Sequence, residues 1–258
     1  MNEPELLIID IANHIAVVTM NAPPVNAQSR QLQDEIAATF DYLSDDEDVR
    51  AVVFTGAGRV FSAGADIKNR GSMKTTGGAQ RQHLRSARES YHSIVECKKP
   101  VICAINGAAL GAGLALVASC DILVASESAV LGLPEVTIGL MGGGRHAQRL
   151  FSHSRLRRMM LTGYRVPGAE LYRLGVVEAC VPPDQLMETA MGFAQEIAVL
   201  SPVSTQLAKH SLNTIEELSL RDGYRFEQDM TMQIGKTEDA KEAMKAFVEK
   251  RKPVFVGR

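Results

Sequence analysis

The sequence has no long apolar run. None reaches the roughly 18 residues that a membrane-spanning helix needs, so helical membrane spans are excluded. The N-terminal residues 1–5 are acidic and lack the basic segment and apolar stretch of a secretory signal peptide. We therefore expect a cytoplasmic protein.

The net charge is also small, and the sequence has few cysteines. The formal charge is -2, which gives no general attraction to nucleic acid or membrane surfaces. The four cysteines share no close spacing of the metal-binding kind, so no metal site is predicted. They are Cys97, Cys103, Cys120 and Cys180. Two of them lie in apolar segments, which is typical of buried free thiols in a reducing compartment.

What is present is an ordinary globular mixture, 45% hydrophobic and 22% charged. Apolar runs at 49–55, 101–105 and 121–126 predict strands that are covered on both faces. Residues 6–11 and 15–20 predict a hairpin. Strands and helices alternate to about residue 182 and helices alone follow, which predicts an α/β core with a helical C-terminal portion.

Two helices are predicted before the central strand. A stripe of Leu32, Ile36, Phe40 and Leu43 predicts the first, which follows a rigid loop at 21–27. Residues 84–97 predict the second, and the preceding segment 71–82, rich in Gly, Ser, Thr and Lys, is typical of a lid or binding loop. We expect the segment 71–82 and the helix 84–97 to shape a ligand pocket. Asp121 starts a buried strand, which favours a structural role.

The central stretch, residues 99–114, predicts a buried strand, a glycine-rich turn and the start of a helix. Gly111 and Gly113 have no side chain, so the backbone there can approach a bound group closely. Unpaired N–H groups at a helix start suit a developing negative charge. A tight packing turn without a ligand is the alternative. The stretch is not a phosphate-binding P-loop, because it lacks that motif's lysine and hydroxyl residue.

Glu135 is the candidate acid or base. It follows Pro134, and its apolar sequence neighbours are Leu131, Leu133, Val136 and Ile138. Apolar surroundings penalise a carboxylate and raise its pKa toward the range of a proton shuttle. The alternative is a glutamate in a solvated turn. His146 titrates near neutral pH and is a possible catalytic residue, although it could equally face solvent or cap a helix.

Several segments, in their order and spacing, resemble the crotonase family, which is the enoyl-CoA hydratase/isomerase superfamily. They are GRVFSAGADI at 58–67, KPVICAING at 99–107, CDI at 120–122, LPEVTIG at 133–139 and QRL at 148–150. A closing segment, AFVEKRKP at 246–253, is similar as well. The motifs are specific for a fold and a ligand class and less so for one reaction, since the family hosts several.

The resemblance implies an α/β fold: a crotonase-like spiral of ββα repeats over 1–195, which carries the acyl-CoA site. Residues 196–258 would form a C-terminal helical trimerisation region. It further implies a homotrimer or a dimer of trimers. The substrate would be a coenzyme A thioester, with no cofactor beyond that CoA moiety and no nucleic-acid or membrane partner.

The family's shared device is an oxyanion hole made of two backbone N–H groups, which the motifs assign to Ala65 and Ala112. Glu135 aligns with a catalytic glutamate of the family's hydratases. The positions implied to contact CoA are Val25, Ala27, Ala63, Asp66, Ile67, Phe247 and Lys250. Asp66 could instead act as a cap or loop anchor, and the last two could belong to any amphipathic end helix.

Two departures from the family pattern affect the expected reaction. Family hydratases carry a second glutamate where this chain has Ala115, and small residues where it has Arg145 and His146. A single carboxylate favours double-bond isomerisation, with hydration close behind. Thioester hydrolysis, decarboxylation and retro-Claisen cleavage are lesser options. A CoA-binding protein without catalysis is the alternative from another functional class.

Overall fold

The computed structural model describes residues 4–66 and 76–258. Ile67, which the resemblance assigns to CoA binding, lies outside the described residues, as does part of the predicted binding loop at 71–82. Across the described part of the chain, no helix is both long and apolar enough to cross a membrane.

The larger sheet has six strands in the order β1-β2-β3-β5-β7-β10. They are β1 Leu7–Ala12, β2 Ile15–Met20, β3 Ala51–Gly56, β5 Val101–Ile105, β7 Ile122–Ser126 and β10 Ala179–Val181. β1 and β2 form the predicted antiparallel hairpin, and every other pairing in this sheet is parallel. The apolar runs at 49–55, 101–105 and 121–126 supply the three central strands, as predicted.

A second sheet has four short strands in the order β4-β6-β8-β9. They are β4 Val60–Ser62, β6 Ala108–Leu110, β8 Val130–Gly132 and β9 Arg165–Pro167. Each central strand of the first sheet is followed along the chain by a strand of the second, which produces the repeating unit of the predicted spiral. The sequence interpretation had no strand at β6 or β9, because three residues are too few to show a periodicity.

Ten α-helices are present among the described residues. They are α1 Arg30–Asp45, α2 Gly77–Glu96, α3 Ala112–Ala118, α4 Gly144–Ala147, α5 His153–Thr162, α6 Gly168–Arg173, α7 Leu186–Ala198, α8 Pro202–Ile215, α9 Leu220–Ile234 and α10 Glu238–Glu249. α2 begins at Gly77 rather than at the predicted Leu84, because the Thr76 hydroxyl accepts a hydrogen bond from the Ala79 N–H and caps the helix.

Helices cover both faces of the larger sheet. The predicted stripe of α1 is buried, and Phe40 meets Phe54 edge to face at 5.4 Å between ring centroids. On the other face, α7 buries Leu186, Ala190 and Ala194 against the sheet. The predicted division at 195/196 lies in the last turn of α7, and the assignment of two domains stays a prediction.

An ion pair between a buried lysine and a partly exposed aspartate connects α8 to the sheet. Lys209 Nζ lies 2.8 Å from Asp121 Oδ2 and donates to the carbonyls of Ile94 and Lys99 at 3.1 and 3.0 Å. Asp121 also accepts the Val101 N–H at 2.7 Å. Burial raises the pKa of Asp121, and the charge of Lys209 opposes that rise. The structural role predicted for Asp121 is therefore confirmed.

Lys209→Met is expected to lower the free energy of unfolding by about 3 kcal/mol, the lower end of the range for a buried pair, because the Asp121 side chain that loses its cation is 23% exposed. Urea denaturation followed by circular dichroism measures the change. The control is Lys236→Met, since Lys236 is exposed and forms no ion pair within the described residues. A loss no larger than that of the control would contradict the prediction. The double variant Asp121→Asn/Lys209→Met should recover part of the loss.

Candidate active site

One cavity of about 530 Å³ gathers most of the predicted catalytic positions. Ala65, Ala112 and Glu135 line it together, as do Ala115 and His146. α2 supplies a further wall through Leu84, Ala87, Arg88 and Tyr91. Ala65 and His146, which lie 81 positions apart in the sequence, thus line one site.

Two glycine turns bring the candidate oxyanion donors together. Gly64 has φ +96° and Gly111 has φ +56°, both in the region that favours glycine. A Cβ atom at Gly64 would lie 2.6 Å from the Leu110 carbonyl oxygen and 3.4 Å from the Ala112 nitrogen. The two turns therefore pack against each other so closely that no side chain fits between them.

The hydrogen bonds around Ala65 leave its N–H outside the backbone pairing. Gln28 donates its N–H to the Gly64 carbonyl at 2.8 Å and accepts from the Asp66 N–H at 3.3 Å. In such a parallel bridge the intervening residue directs its own N–H to the other side. Ala112 is the first residue of α3, where an N–H has no partner within the helix. Two backbone donors are therefore available at adjoining turns.

Asn26 fixes the loop that carries the first of these turns. Its buried side-chain amide donates to the carbonyls of Ala57, Val60 and Phe61 at 3.1, 2.9 and 3.1 Å. The backbone carbonyl of Asn26 accepts a hydrogen bond from the Ser62 hydroxyl at 2.7 Å. The sequence interpretation treated this segment only as a rigid loop. A single asparagine carries no pattern that would reveal such a network.

Glu135 lies against the Gly111 turn. It occupies the first turn of a 3-10 helix, Pro134–Ile138, and a Cβ atom at Gly111 would lie 2.2 Å from its Oε1. Its Oε2 is buried and has no hydrogen-bond partner among the described residues. Burial raises the pKa of this carboxyl above its ordinary value, as predicted, and a hydrogen bond from its own backbone N–H opposes the rise in part.

The apolar surroundings predicted for Glu135 are only half correct. Leu131 and Leu133 are buried, whereas Val136 and Ile138 are 43% and 57% exposed. The difference arises because Val136 and Ile138 belong to the short 3-10 helix, which lies at the surface and turns them outward. The desolvation of Glu135 comes instead from its packing against the Gly111 turn.

Tyr91 and His146 form a contact pair in the cavity. Their rings meet edge to face with centroids 4.9 Å apart. Burial and the nearby charge of Glu135 raise the pKa of Tyr91 to about 12. Burial lowers the pKa of His146, and the neighbouring His92, Arg149 and Arg145 lower it further. Tyr91 was not singled out from the sequence, where only the segment 84–97 was expected to shape the pocket.

The remaining predicted residues divide between the cavity and the surface. Ala63 lines the cavity, and its N–H donates to the Val25 carbonyl at 3.0 Å, which places Val25 and Ala27 in the adjoining loop. Asp66 follows the Ala65 turn directly. Phe247, which is 82% exposed, and Lys250 lie at the end of α10 and do not line this cavity. Arg145 forms a surface ion pair with Glu217.

Comparison with known proteins gives consistent results. A family model described as Enoyl-CoA hydratase/isomerase matches residues 10–258. A relative from Rhizobium meliloti, called "Probable enoyl-CoA hydratase", is 36% identical over 98% of this chain and 99% of its own. A Mycobacterium tuberculosis protein, named as a "(7aS)-7a-methyl-1,5-dioxo-2,3,5,6,7,7a-hexahydro-1H-indene-carboxyl-CoA hydrolase", is 37% identical over 92% of this chain and 95% of its own.

The fold agrees with a solved relative. The crystal structure of an enoyl-CoA hydratase from Bacillus anthracis matches with a TM-score of 0.93 and 32% identity, over 98% of this chain and 100% of that one. The match therefore extends over nearly the whole of both chains. The protein belongs to the enoyl-CoA hydratase/isomerase family and has the crotonase fold.

Proposed function

We propose that this enzyme acts on an enoyl-CoA thioester through an enolate. The N–H groups of Ala65 and Ala112 hold the thioester oxygen, and Glu135 moves a proton at the adjacent carbons. The observation that carries this proposal is the packing of the Glu135 carboxyl against the turn that presents Ala112. Backbone donors of this kind stabilise a developing oxyanion, and each typically contributes about 10²–10³ in rate. No cofactor is needed beyond the CoA moiety of the substrate.

The reaction that this site supports best is the movement of a double bond. The Glu135 carboxylate removes a proton from C2 of a 3-enoyl-CoA, and the electrons of the broken C–H bond move into the thioester carbonyl. The resulting dienolate collapses as the Glu135 carboxylic acid returns the proton to C4, which gives a 2-enoyl-CoA. One acid–base group suffices for this sequence. The cavity wall at Ala115 offers no second carboxylate to activate a water molecule.

Hydration is the second candidate, because relatives at 35–36% identity are named enoyl-CoA hydratases. In this reaction water would add across the 2,3 double bond of a 2-enoyl-CoA. Glu135 would take a proton from the water and deliver one to C2. Thioester hydrolysis, decarboxylation, retro-Claisen cleavage and CoA binding without catalysis are the other outcomes that an activity screen would reveal.

Paired absorbance assays test the proposal. One follows loss of the conjugated double bond of crotonyl-CoA, which reports hydration. The other follows the gain of conjugation from a 3-hexenoyl-CoA, which reports isomerisation. We expect the second activity to be the larger. Turnover of neither substrate, in a protein that still binds CoA, would contradict the proposed function and favour the minor reactions or the non-catalytic alternative.

The raised pKa of Glu135 leads to a prediction about pH. Proton removal requires the carboxylate, and a raised pKa means that this form is lost at a higher pH than for an ordinary glutamate. The value of kcat/KM should therefore fall on acidification with an apparent pKa above the usual glutamate range, since kcat/KM reports the free enzyme. Stopped-flow rates between pH 4 and 8 measure it. The prediction would be contradicted if kcat/KM fell at low pH with an apparent pKa at or below that of an ordinary glutamate.

We also propose a homotrimer or a dimer of trimers. Large apolar side chains are exposed along the C-terminal helices and would be covered in such an assembly. They are Leu212, Leu220, Tyr224, Met232, Met244, Phe247 and Val248. Light scattering coupled to size exclusion would give the molar mass, and a 28.0 kDa species at micromolar concentration would contradict this assembly.

A further inference from the structure

Three helices each contribute a polar side chain to the cavity lining. The side chains are Gln33 from α1, Tyr91 from α2 and His146 from α4, and we call them the polar wall. The mechanism proposed above uses none of them. An acyl chain made only of CH₂ groups would not require such groups, since aliphatic lining residues would serve it better.

Some polar atoms in and next to the polar wall have no hydrogen-bond partner among the described residues. Gln33 is 1% exposed, and its Oε1 has no hydrogen-bond partner among the described residues. Tyr91 donates its hydroxyl to Gln28 Oε1 over a long 3.3 Å. Gln28 is also 1% exposed, and its Nε2 has no partner within the described ranges. Buried polar atoms without partners are rare in native proteins and call for an explanation.

The polar wall lies close to the reacting centre. The Gln28 backbone pairs with the turn that presents Ala65, and the Gln28 side chain holds the Tyr91 hydroxyl. The Tyr91 ring then contacts His146. The acyl part of a thioester bound in this cavity could therefore contact the polar wall, which lines the same cavity as Glu135.

The charge state of the polar wall indicates which chemical group fits. Burial raises the pKa of Tyr91 to about 12 and lowers the pKa of His146, so both side chains are neutral near pH 7. Gln33 is neutral at every pH. A neutral oxygen that accepts or donates hydrogen bonds matches these three groups. The arginines that line the same cavity, Arg88 and Arg165, are exposed residues outside the polar wall.

We propose that the acyl group of the substrate carries an uncharged oxygen function, a hydroxyl or a ketone, and that Gln33 and Tyr91 select it by hydrogen bonding. This inference rests on the proposed acyl-CoA function. A plain alkyl chain would cover the polar amide and phenol without replacing their hydrogen bonds. Sites built to pair a substrate oxygen discriminate strongly against the analogue that lacks it.

The first test compares matched six-carbon substrates with the wild-type enzyme. The set comprises the plain enoyl-CoA, its 5-oxo and 6-hydroxy analogues, and the analogue with a terminal carboxylate. All carry the double bond at the position that the enzyme turns over. We expect kcat/KM for the better neutral oxygenated substrate to exceed that for the plain chain by at least about tenfold. The carboxylate should show no such advantage.

The second test asks whether the polar wall is the cause. Gln33→Leu and Tyr91→Phe should each lower the preference for the oxygenated substrate by about tenfold or more, with kcat/KM for the plain chain rising. The matched controls are Gln31→Leu on the exposed side of α1 and Tyr172→Phe on α6, which should keep the wild-type preference. Gln33→Met replaces the leucine variant if circular dichroism shows misfolding.

The outcomes separate this inference from the proposed function. Turnover of the plain chain at least as fast as that of every neutral oxygenated analogue overturns the inference and leaves the acyl-CoA function intact. Equal losses for both substrates in Tyr91→Phe also overturn it, because that phenol would then take part in the chemistry common to both. Turnover of no thioester at all overturns both. If only the analogue with a terminal carboxylate has a higher kcat/KM than the plain chain, the inference that the oxygen function is uncharged is wrong.

Discussion

Replacing Glu135 by glutamine is expected to lower kcat by about 10³-fold, in the middle of the range for general acid–base groups. The amide has nearly the same shape, so packing against the Gly111 turn is retained. It can neither take nor return a proton near neutral pH. KM should change little, because in the proposed mechanism the backbone donors and the cavity walls hold the thioester. Single-turnover and steady-state rates with a 3-enoyl-CoA measure the effect.

Glu188→Gln is the matched control, since this glutamate lies exposed on α7 and away from the cavity. It should leave kcat within a factor of two or so of the wild-type value. If Glu135→Gln retained most of the activity, the assignment of Glu135 as the proton-transfer group would be wrong. The acid limb predicted for kcat/KM should also disappear from the residual activity of Glu135→Gln.

Gly111→Ala is expected to lower kcat/KM by on the order of 10³-fold, because it affects both parts of the site at once. The added Cβ would lie 2.2 Å from Glu135 Oε1, so the carboxylate must move. The backbone at this position has φ +56° and ψ -116°, a conformation that alanine adopts only with strain. Relief of that strain would rotate the peptide that carries the Ala112 N–H.

Gly192→Ala serves as its control. Gly192 lies within α7, and a Cβ atom there would meet nothing within 4 Å. Alanine is the better helix former, so stability should rise slightly and activity should not change. The loss in Gly111→Ala should appear in kcat rather than in the amount of folded protein, which circular dichroism checks. Activity near the wild-type level would show that the Ala112 turn does not serve as an oxyanion donor.

Much of the fold could be predicted because its signals are local. The strands at 101–105 and 121–126 are unbroken apolar runs, and the stripe of α1 repeats at helical spacing. The start of α2 was placed seven residues late, because the Thr76 cap precedes a first turn without apolar periodicity. α5 has four polar or charged residues in its first half, so no apolar periodicity marks it as a separate helix.

The site was only partly predictable, and for a different reason. Ala65 and Ala112 were proposed from the motifs of the family resemblance, and Glu135 was proposed from its motif and its apolar sequence neighbours. Tyr91 and Gln28 lie 63 positions apart and become partners only when α2 packs beside the Gly64 turn. Likewise, the exposure of Val136 and Ile138 depends on which way one turn of helix faces, which sequence neighbours alone do not determine.

The proposed donors at Ala65 and Ala112 belong to the main chain, and Asn26 and Gln28 hold the first of their turns. Substitutions elsewhere in the cavity, which spare Asn26 and the turn glycines, would therefore keep these donors in place. In an ancestor with this architecture, one acid–base side chain could be replaced by another, and the backbone donors would still stabilise the enolate at every step. Relatives whose names denote a hydratase and a hydrolase are what such divergence would leave behind.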